Sequence, residues 1–320
     1  MLVTSYGSAW DLVKIENRDY VRIEELAEFY KLGQPISLGG SMISLAGANS
    51  AIRFNVGSRE SVINGVKHWL CFPVLEVRGQ PMLSRTDLSK TIDPIMQPER
   101  ILPRRRVETV IIDPGHGGDN HGARGRWTRD EKDLTLEAAR HLRDELRSEN
   151  LVVVMTRNRD VFVSLEDRAR ETQRRRNAIF VSLHYNHGGP NGRGTEVFAI
   201  APRGAPATMQ SRPNSSDYIR LSGHAFDTHS VLLAHAIERR IAPLHGVENS
   251  RGVKRARFRV LRDSWCPAVL VEAGFLTNRQ DSMRIARQDF SKRLAQAIRQ
   301  GVRDYIDSLE GRRSYSASLP

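Results

Sequence analysis

The sequence predicts an α/β protein: a mostly parallel sheet covered by helices on both faces, preceded by a small α+β module. Three observations carry this. From Val107 onward, short apolar runs alternate with amphipathic stretches of helical period, the rhythm of strand–helix–strand units. In VETVIIDPG the apolar residues Val110 to Ile112, with Val107 before them, suit a parallel strand buried on both faces. Before residue 98 the pattern differs, with apolar and polar residues alternating between Gly and Asn turns.

Taken in order, NRDYVRIEELAEFYKLG (17–33) reads as a strand over 20–23, then a helix with Leu26, Phe29 and Tyr30 on one side and a stop at Gly33. A weaker echo follows in GQPMLSRTDLSKTI (79–92), and the stretch between them reads as antiparallel strands. MQPERILPRRR (96–106) joins two prolines to a charge run without any period, which sets a boundary. The expected organisation is a module over 1–98, a Pro/Arg linker over 99–106, a catalytic domain over 107–310 and a disordered tail over 311–320. Within the larger unit the expected elements are strands at 107–112, 151–156, 178–186 and 268–273, and helices at 131–149, 165–176, 231–242 and 290–308. Residues 187–230, rich in Gly, Pro, Ser and Arg, read as an insertion too long for an ordinary connection.

The 320 residues carry 49 Lys and Arg against 37 Asp and Glu, a formal charge of +12 that favours polyanions. Nucleic acid is not expected, because finger spacings, RNA-binding aromatic motifs and basic heptads are missing. No stretch approaches membrane-spanning length, and the first residues lack a basic region followed by an apolar core, so no export signal is visible. Cys71 and Cys266 stand far apart and form neither a disulfide framework nor a zinc ribbon.

Three polar residues sit where apolar runs end, and a fourth opens a helix. His116 follows the strand 107–112, His184 closes AIFVSLHYN (178–186), and Glu272 closes PAVLVEAGF (267–275). Carboxyl ends of strands are where open α/β sheets place their ligands. Glu131 opens the helix EKDLTLEAARHLRDELRSE on the same stripe as Leu134, Ala138, Leu142 and Leu146, so it faces the sheet. Two histidines and a glutamate make a three-ligand zinc set that leaves a position for water, and Glu272 is then the base for metal-assisted hydrolysis. His187, His224 and His229 are expected to face solvent; His121 and His141 read as structural.

The motifs DPGHGG with GARG, EKDLTLEAARHLRDEL, TRNRDVFVSLEDRA, IFVSLHYN and RVLRDSWCPAVLVEAGFLTN together resemble the zinc-dependent N-acetylmuramoyl-L-alanine amidases, across nearly all of 107–308. The resemblance implies zinc ligands His116, Glu131 and His184, a catalytic Glu272, and cleavage of the amide between the lactyl group of N-acetylmuramic acid and L-alanine. It further implies peptidoglycan as partner and a location in the cell envelope, and the basic charge adds anionic envelope polymers to the expected partners. Asn186 and Arg193 are the expected substrate contacts. One departure stands out: the family's loop runs GGxDxGAxG and this one GGDNHGARG, read as an acidic residue displaced to Asp119. The first module resembles the small N-terminal repeat of copper amine oxidases and suggests a spacer or wall-binding unit without copper. Two rivals remain open at this point: a catalytically inactive basic wall-binding protein, and a cysteine hydrolase using Cys266.

Overall fold

The computed structural model describes residues 10–101, 106–125, 127–189 and 191–312. The expected tail beyond 312 and the centre of the linker, 102–105, lie outside them. The first part of the chain forms β1 (Val13–Ile15), β2 (Arg18–Arg22), α1 (Ile23–Phe29), β3 (Ile36–Ser37), β4 (Met42–Ala46), β5 (Ala51–Asn55), β6 (Glu60–Ile63), β7 (Val66–Trp69), β8 (Leu75–Val77) and β9 (Gln80–Ser84). Short helical turns follow, α2 (Arg85–Asp87), a π-helical turn (Leu88–Ile92), α3 (Asp93–Met96) and α4 (Pro98–Ile101). Then come β10 (Thr109–Pro114), α5 (Glu131–Arg147), β11 (Val152–Met155), α6 (Leu165–Glu171), β12 (Ala178–Asn186), β13 (Glu196–Ile200), α7 (Asp227–Ile241), β14 (Gly252–Ala256), α8 (Arg259–Arg262), β15 (Ala268–Phe275), α9 (Arg279–Ile285) and α10 (Phe290–Leu309). No helix among the described residues is long and apolar enough to cross a membrane.

The α/β class is as expected, with helices on both faces. All six residues of β10 are buried, and they alternate between two cores. Val110 and Ile112 join Leu134 of α5, Val231 of α7 and Leu294 of α10, while Ile111 joins Phe180, Leu270 and the α8 residues Val260 and Leu261. A strand wedged between two apolar layers has no use for a polar residue until it leaves the sheet. That is why ionisable side chains gather at its carboxyl end.

The sheet itself is mixed. Its order is β11-β10-β12-β15-β13-β14-β7-β6-β5-β4-β3. β11, β10, β12 and β15 run parallel, β13 is antiparallel to β15, and β14 and β7 continue parallel to β13 before an antiparallel meander closes the row. Two of these strands escaped the sequence reading. β13 lies inside the stretch read as an insertion, and β14 carries Lys254 and Arg255, both buried although charged.

The first module is therefore continuous with the rest. β7 meets β14 at the pair Val253–His68. Arg255 donates to the Lys90 carbonyl at 2.7 Å and Thr91 Oγ1 at 3.0 Å, Trp69 Nε1 donates to the Arg251 carbonyl at 3.0 Å, and Arg59 donates to the Gln210 carbonyl at 2.7 Å. Each of these buried or half-buried donors finds its acceptor across the junction, so separating the two parts would strand them.

Beneath β13 and β14, Glu238 of α7 is fully buried and accepts hydrogen bonds from Thr195 Oγ1 at 2.8 Å and Ser250 Oγ at 2.6 Å; its Oε2 has no partner. Burial pushes its carboxyl up to about 7. Between the ordinary carboxylate range and pH 7 the folded chain holds this proton while the unfolded chain has released it, so stability falls as pH rises through that window. Glu238→Gln keeps an acceptor and cannot ionise. Thermal melts of the variant and wild type should coincide near pH 4.5 and diverge towards pH 8, the variant gaining up to roughly 3 kcal/mol. A difference independent of pH would contradict this assignment.

Candidate metal centre

After Pro114 the chain leaves the sheet and reaches His116 at φ 61°, a left-handed conformation that a non-glycine residue keeps only when its surroundings enforce it. Two buried arginines enforce it here. Arg168 donates to the carbonyls of Pro114 and His116, both at 2.6 Å, and Arg157 donates to those of Pro114 at 3.0 Å and Gly115 at 2.7 Å. The Arg168 charge is met by Asp113 at 2.7 Å. Burial alone would raise the Asp113 carboxyl, but Arg168, Thr156 Oγ1 and Ser182 Oγ outweigh it and hold it below its ordinary value. A buried ion pair that is fully hydrogen-bonded serves better as a rigid mount than as a source of stability.

The structure brings His116, Glu131 and His184 together. Glu131 begins α5 and is buried; its Oε2 lies 3.0 Å from His116 Nε2 and its Oε1 lies 2.9 Å from His184 Nδ1. The backbone amides of Ala123 and Tyr185 donate to the same two oxygens at 2.7 and 3.0 Å. Burial would raise this carboxyl, yet the hydrogen bonds from His116 and His184 prevail and hold it well below the usual carboxylate range. One ligand-type atom from each of the three residues lies within 4.8 Å of the others. The packing leaves no slack: a Cβ on Gly115 would stand 2.3 Å from the His184 ring, and one on Gly122 would stand 2.5 Å from Glu131 Oε2. Two imidazoles and one carboxylate are thus gathered where they could hold a metal ion.

Glu272 stands beside these three. β12 and β15 pair in parallel with His184 opposite Glu272, so the two side chains leave the same face of the sheet. Glu272 Oε2 is shut off from solvent without a partner. Burial, reinforced by the like charges of Glu131 and Glu196, pushes this carboxyl well above its ordinary value. A cavity of about 370 Å³ opens in front, lined by His116, His184 and Glu272 together with Phe162, Leu165 and Phe258.

The remaining expected residues lie elsewhere. Asn186 gives its side-chain amide to Glu196 Oε1 at 2.6 Å, and Glu196 also accepts from Arg251 at 2.6 Å and from Lys254. Arg193 is exposed on the segment that leads into β13. Neither is among the residues lining the cavity. His229, expected in solvent, is buried in α7 with Nδ1 3.0 Å from Tyr305 Oη, because that helix begins at Asp227 rather than 231.

In the glycine loop, Asp119 is exposed, and Asn120 supplies the contact to His116, with Oδ1 2.9 Å from His116 Nδ1. Aligning GGDNHGARG with GGxDxGAxG puts Asn120 at the family's acidic position. This signal was available in the sequence and was masked by the neighbouring aspartate. An acceptor at Nδ1 fixes the tautomer that turns an Nε2 lone pair towards a metal. Asn120→Ala should therefore weaken zinc binding by about 10- to 100-fold in a chelator competition titration, with the fold intact. Unchanged affinity would remove Asn120 from this role.

Comparison with known proteins accords with the geometry. Residues 110–304 match the family model described as N-acetylmuramoyl-L-alanine amidase. The chain is 30% identical over 250 residues to the N-acetylmuramoyl-L-alanine amidase AmiC of Escherichia coli O6:H1, covering 70% of this chain and 59% of AmiC, which is under two thirds of that relative's length. It is 31% identical over 229 residues to AmiA of Escherichia coli K12, covering 65% of this chain and 79% of AmiA. Among solved structures it is similar to the catalytic domain of the amidase CwlV from Bacillus (Paenibacillus) polymyxa var. colistinus, at 28% identity and a TM-score of 0.52 over 63% of this chain and 99% of that one. The amidase of Clostridium difficile 630 matches at 32% identity and a TM-score of 0.51, over 63% of this chain and 98% of that one. The chain belongs to the N-acetylmuramoyl-L-alanine amidase family.

Proposed function

We propose that the chain hydrolyses the amide between the lactyl group of N-acetylmuramic acid and L-alanine in peptidoglycan, with His116, Glu131 and His184 holding zinc and Glu272 carrying the proton. The observation that supports this most is the gathering of two imidazoles and a carboxylate beside a buried, unpartnered carboxyl oxygen, all at one cavity. Zinc bound there supplies a Lewis acid for the carbonyl and lowers the pKa of a water towards about 7. The protein's own residues do the rest. Arg157 and Arg168 hold the backbone that aims His116, and Asn120 holds its ring. Glu272 has the raised proton affinity of a group that takes a proton from the attacking water and returns it to the leaving amine of alanine. The excess of basic residues suits an anionic envelope, and a place in the periplasm or outside the cell is part of the same proposal.

The rivals find less support. Cys266 is buried in the apolar cluster beside α8, out of reach of a substrate. An inactive wall-binding protein gives no reason for an unpaired carboxyl to stay buried at the cavity, where it costs stability.

Variants separate ligand from base. His116→Ala and His184→Ala should each lower zinc content along with rate, and thorough chelation should abolish hydrolysis of wild type. Glu272→Gln should retain its zinc while turnover falls by about 10²- to 10⁴-fold. Metal analysis alongside muropeptide digestion makes the measurement; loss of zinc from Glu272→Gln would make that residue a ligand and overturn the division of roles.

A further inference from the structure

One wall of the cavity is apolar and open. Phe162, Leu165 and Phe258 line it beside His116 and Glu272, yet they remain 62%, 54% and 41% exposed. Large side chains left in water at the rim of a reactive centre are a patch waiting for a ligand rather than part of a core.

The backbone on either side of Phe162 and the ring of Phe258 are held in place. The segment before Phe162 is pinned by Asp160, which accepts from the Gly118 amide and from Lys132 Nζ, both at 2.7 Å; the segment after it is pinned by Arg168 Nε donating to the Val163 carbonyl at 3.0 Å. Phe258 is braced edge-on by Phe198 of β13, with ring centroids 5.0 Å apart and planes at 72°. Side chains carried on so constrained a frame lose less freedom when a ligand settles on them. The electrostatics of the wall select further. Both guanidinium groups lining the cavity are committed, Arg168 to Asp113 and Arg259 to Glu166 and Asp263. An uncharged ligand face fits this wall better than the carboxylates of a stem peptide.

Resting on the amidase reading above, we infer that Phe162, Phe258 and Leu165 form the subsite for the pyranose ring of N-acetylmuramic acid. In that substrate the ring is a few bonds from the scissile carbonyl, on the acyl side, so it must lie within the cavity that holds the reacting carbon. The C–H face of a sugar is apolar, and flat aromatic surface is what it packs against. The wall thereby makes the enzyme choose an acyl group that carries a sugar over one that does not.

Two soluble substrates that differ only in the ring test this: N-acetylmuramoyl-L-alanyl-D-isoglutamine, and D-lactyl-L-alanyl-D-isoglutamine, which keeps the scissile amide and lacks the sugar. Wild type should prefer the first. Joint substitution Phe162→Ala and Phe258→Ala should raise KM for the muramyl compound by about tenfold or more with kcat nearly unchanged. Kinetics on the lactyl compound should stay within about twofold of wild type, and zinc content should be unaltered. Phe162→Leu with Phe258→Leu, which keeps apolar bulk without flat rings, should fall between and guards against a folding defect. Equal losses on both substrates, no loss on either, or a wild type indifferent to the sugar would each overturn the subsite. Zinc-loaded wild type that cleaves neither compound would instead overturn the amidase reading itself.

Discussion

The Glu131 carboxylate lies against two imidazole nitrogens and accepts from two backbone amides, and those four groups come from the glycine loop and from β12. A buried carboxylate is costly unless every lone pair is met, so the site's other parts are arranged to meet them. The loop must bring both His116 and the Ala123 amide to one oxygen, which requires the left-handed backbone at His116 and the bare Cα of Gly122. β12 must end where His184 and the Tyr185 amide reach the other, which requires Gly115 to pass against the His184 ring.

Charges buried beneath the site make this arrangement stiff. Asp113 at the end of β10 ties Arg168, Thr156 and Ser182, and Arg168 in turn grips the loop's carbonyls. On the other side of Glu272, the cluster of Glu196, Lys254, Arg251 and Asn186 spans β12, β13 and β14. Glu272 thus stands between two networks in which carboxylates are satisfied, while one of its own oxygens is not. That contrast supports the proton-carrying role proposed for Glu272.

The strand ends were legible because the physics at them is stark: an apolar run buried on both faces that stops in a histidine or glutamate is unusual, and three such stops with Glu131 facing the sheet converge. What escaped was written in residues whose role depends on partners distant in sequence. Lys254 and Arg255 disguise β14 because charge argues against a buried strand until Glu196 and the Lys90 carbonyl are seen opposite. The reversal of β13 leaves no mark on its own sequence EVFAI, and its Gly- and Pro-rich surroundings read as loop. Arg157 and Arg168 look like surface cations of charged segments, and only the folded loop shows that their acceptors are carbonyls.

The proposed metal centre consists of His116, Glu131 and His184, with Glu272 outside it. X-ray absorption at the zinc edge of the metal-loaded protein tests this most directly. Two imidazole nitrogens, one carboxylate oxygen and one solvent oxygen at about 2.0–2.2 Å are predicted. A shell holding a second carboxylate, a sulfur scatterer or fewer than two imidazoles would contradict the account.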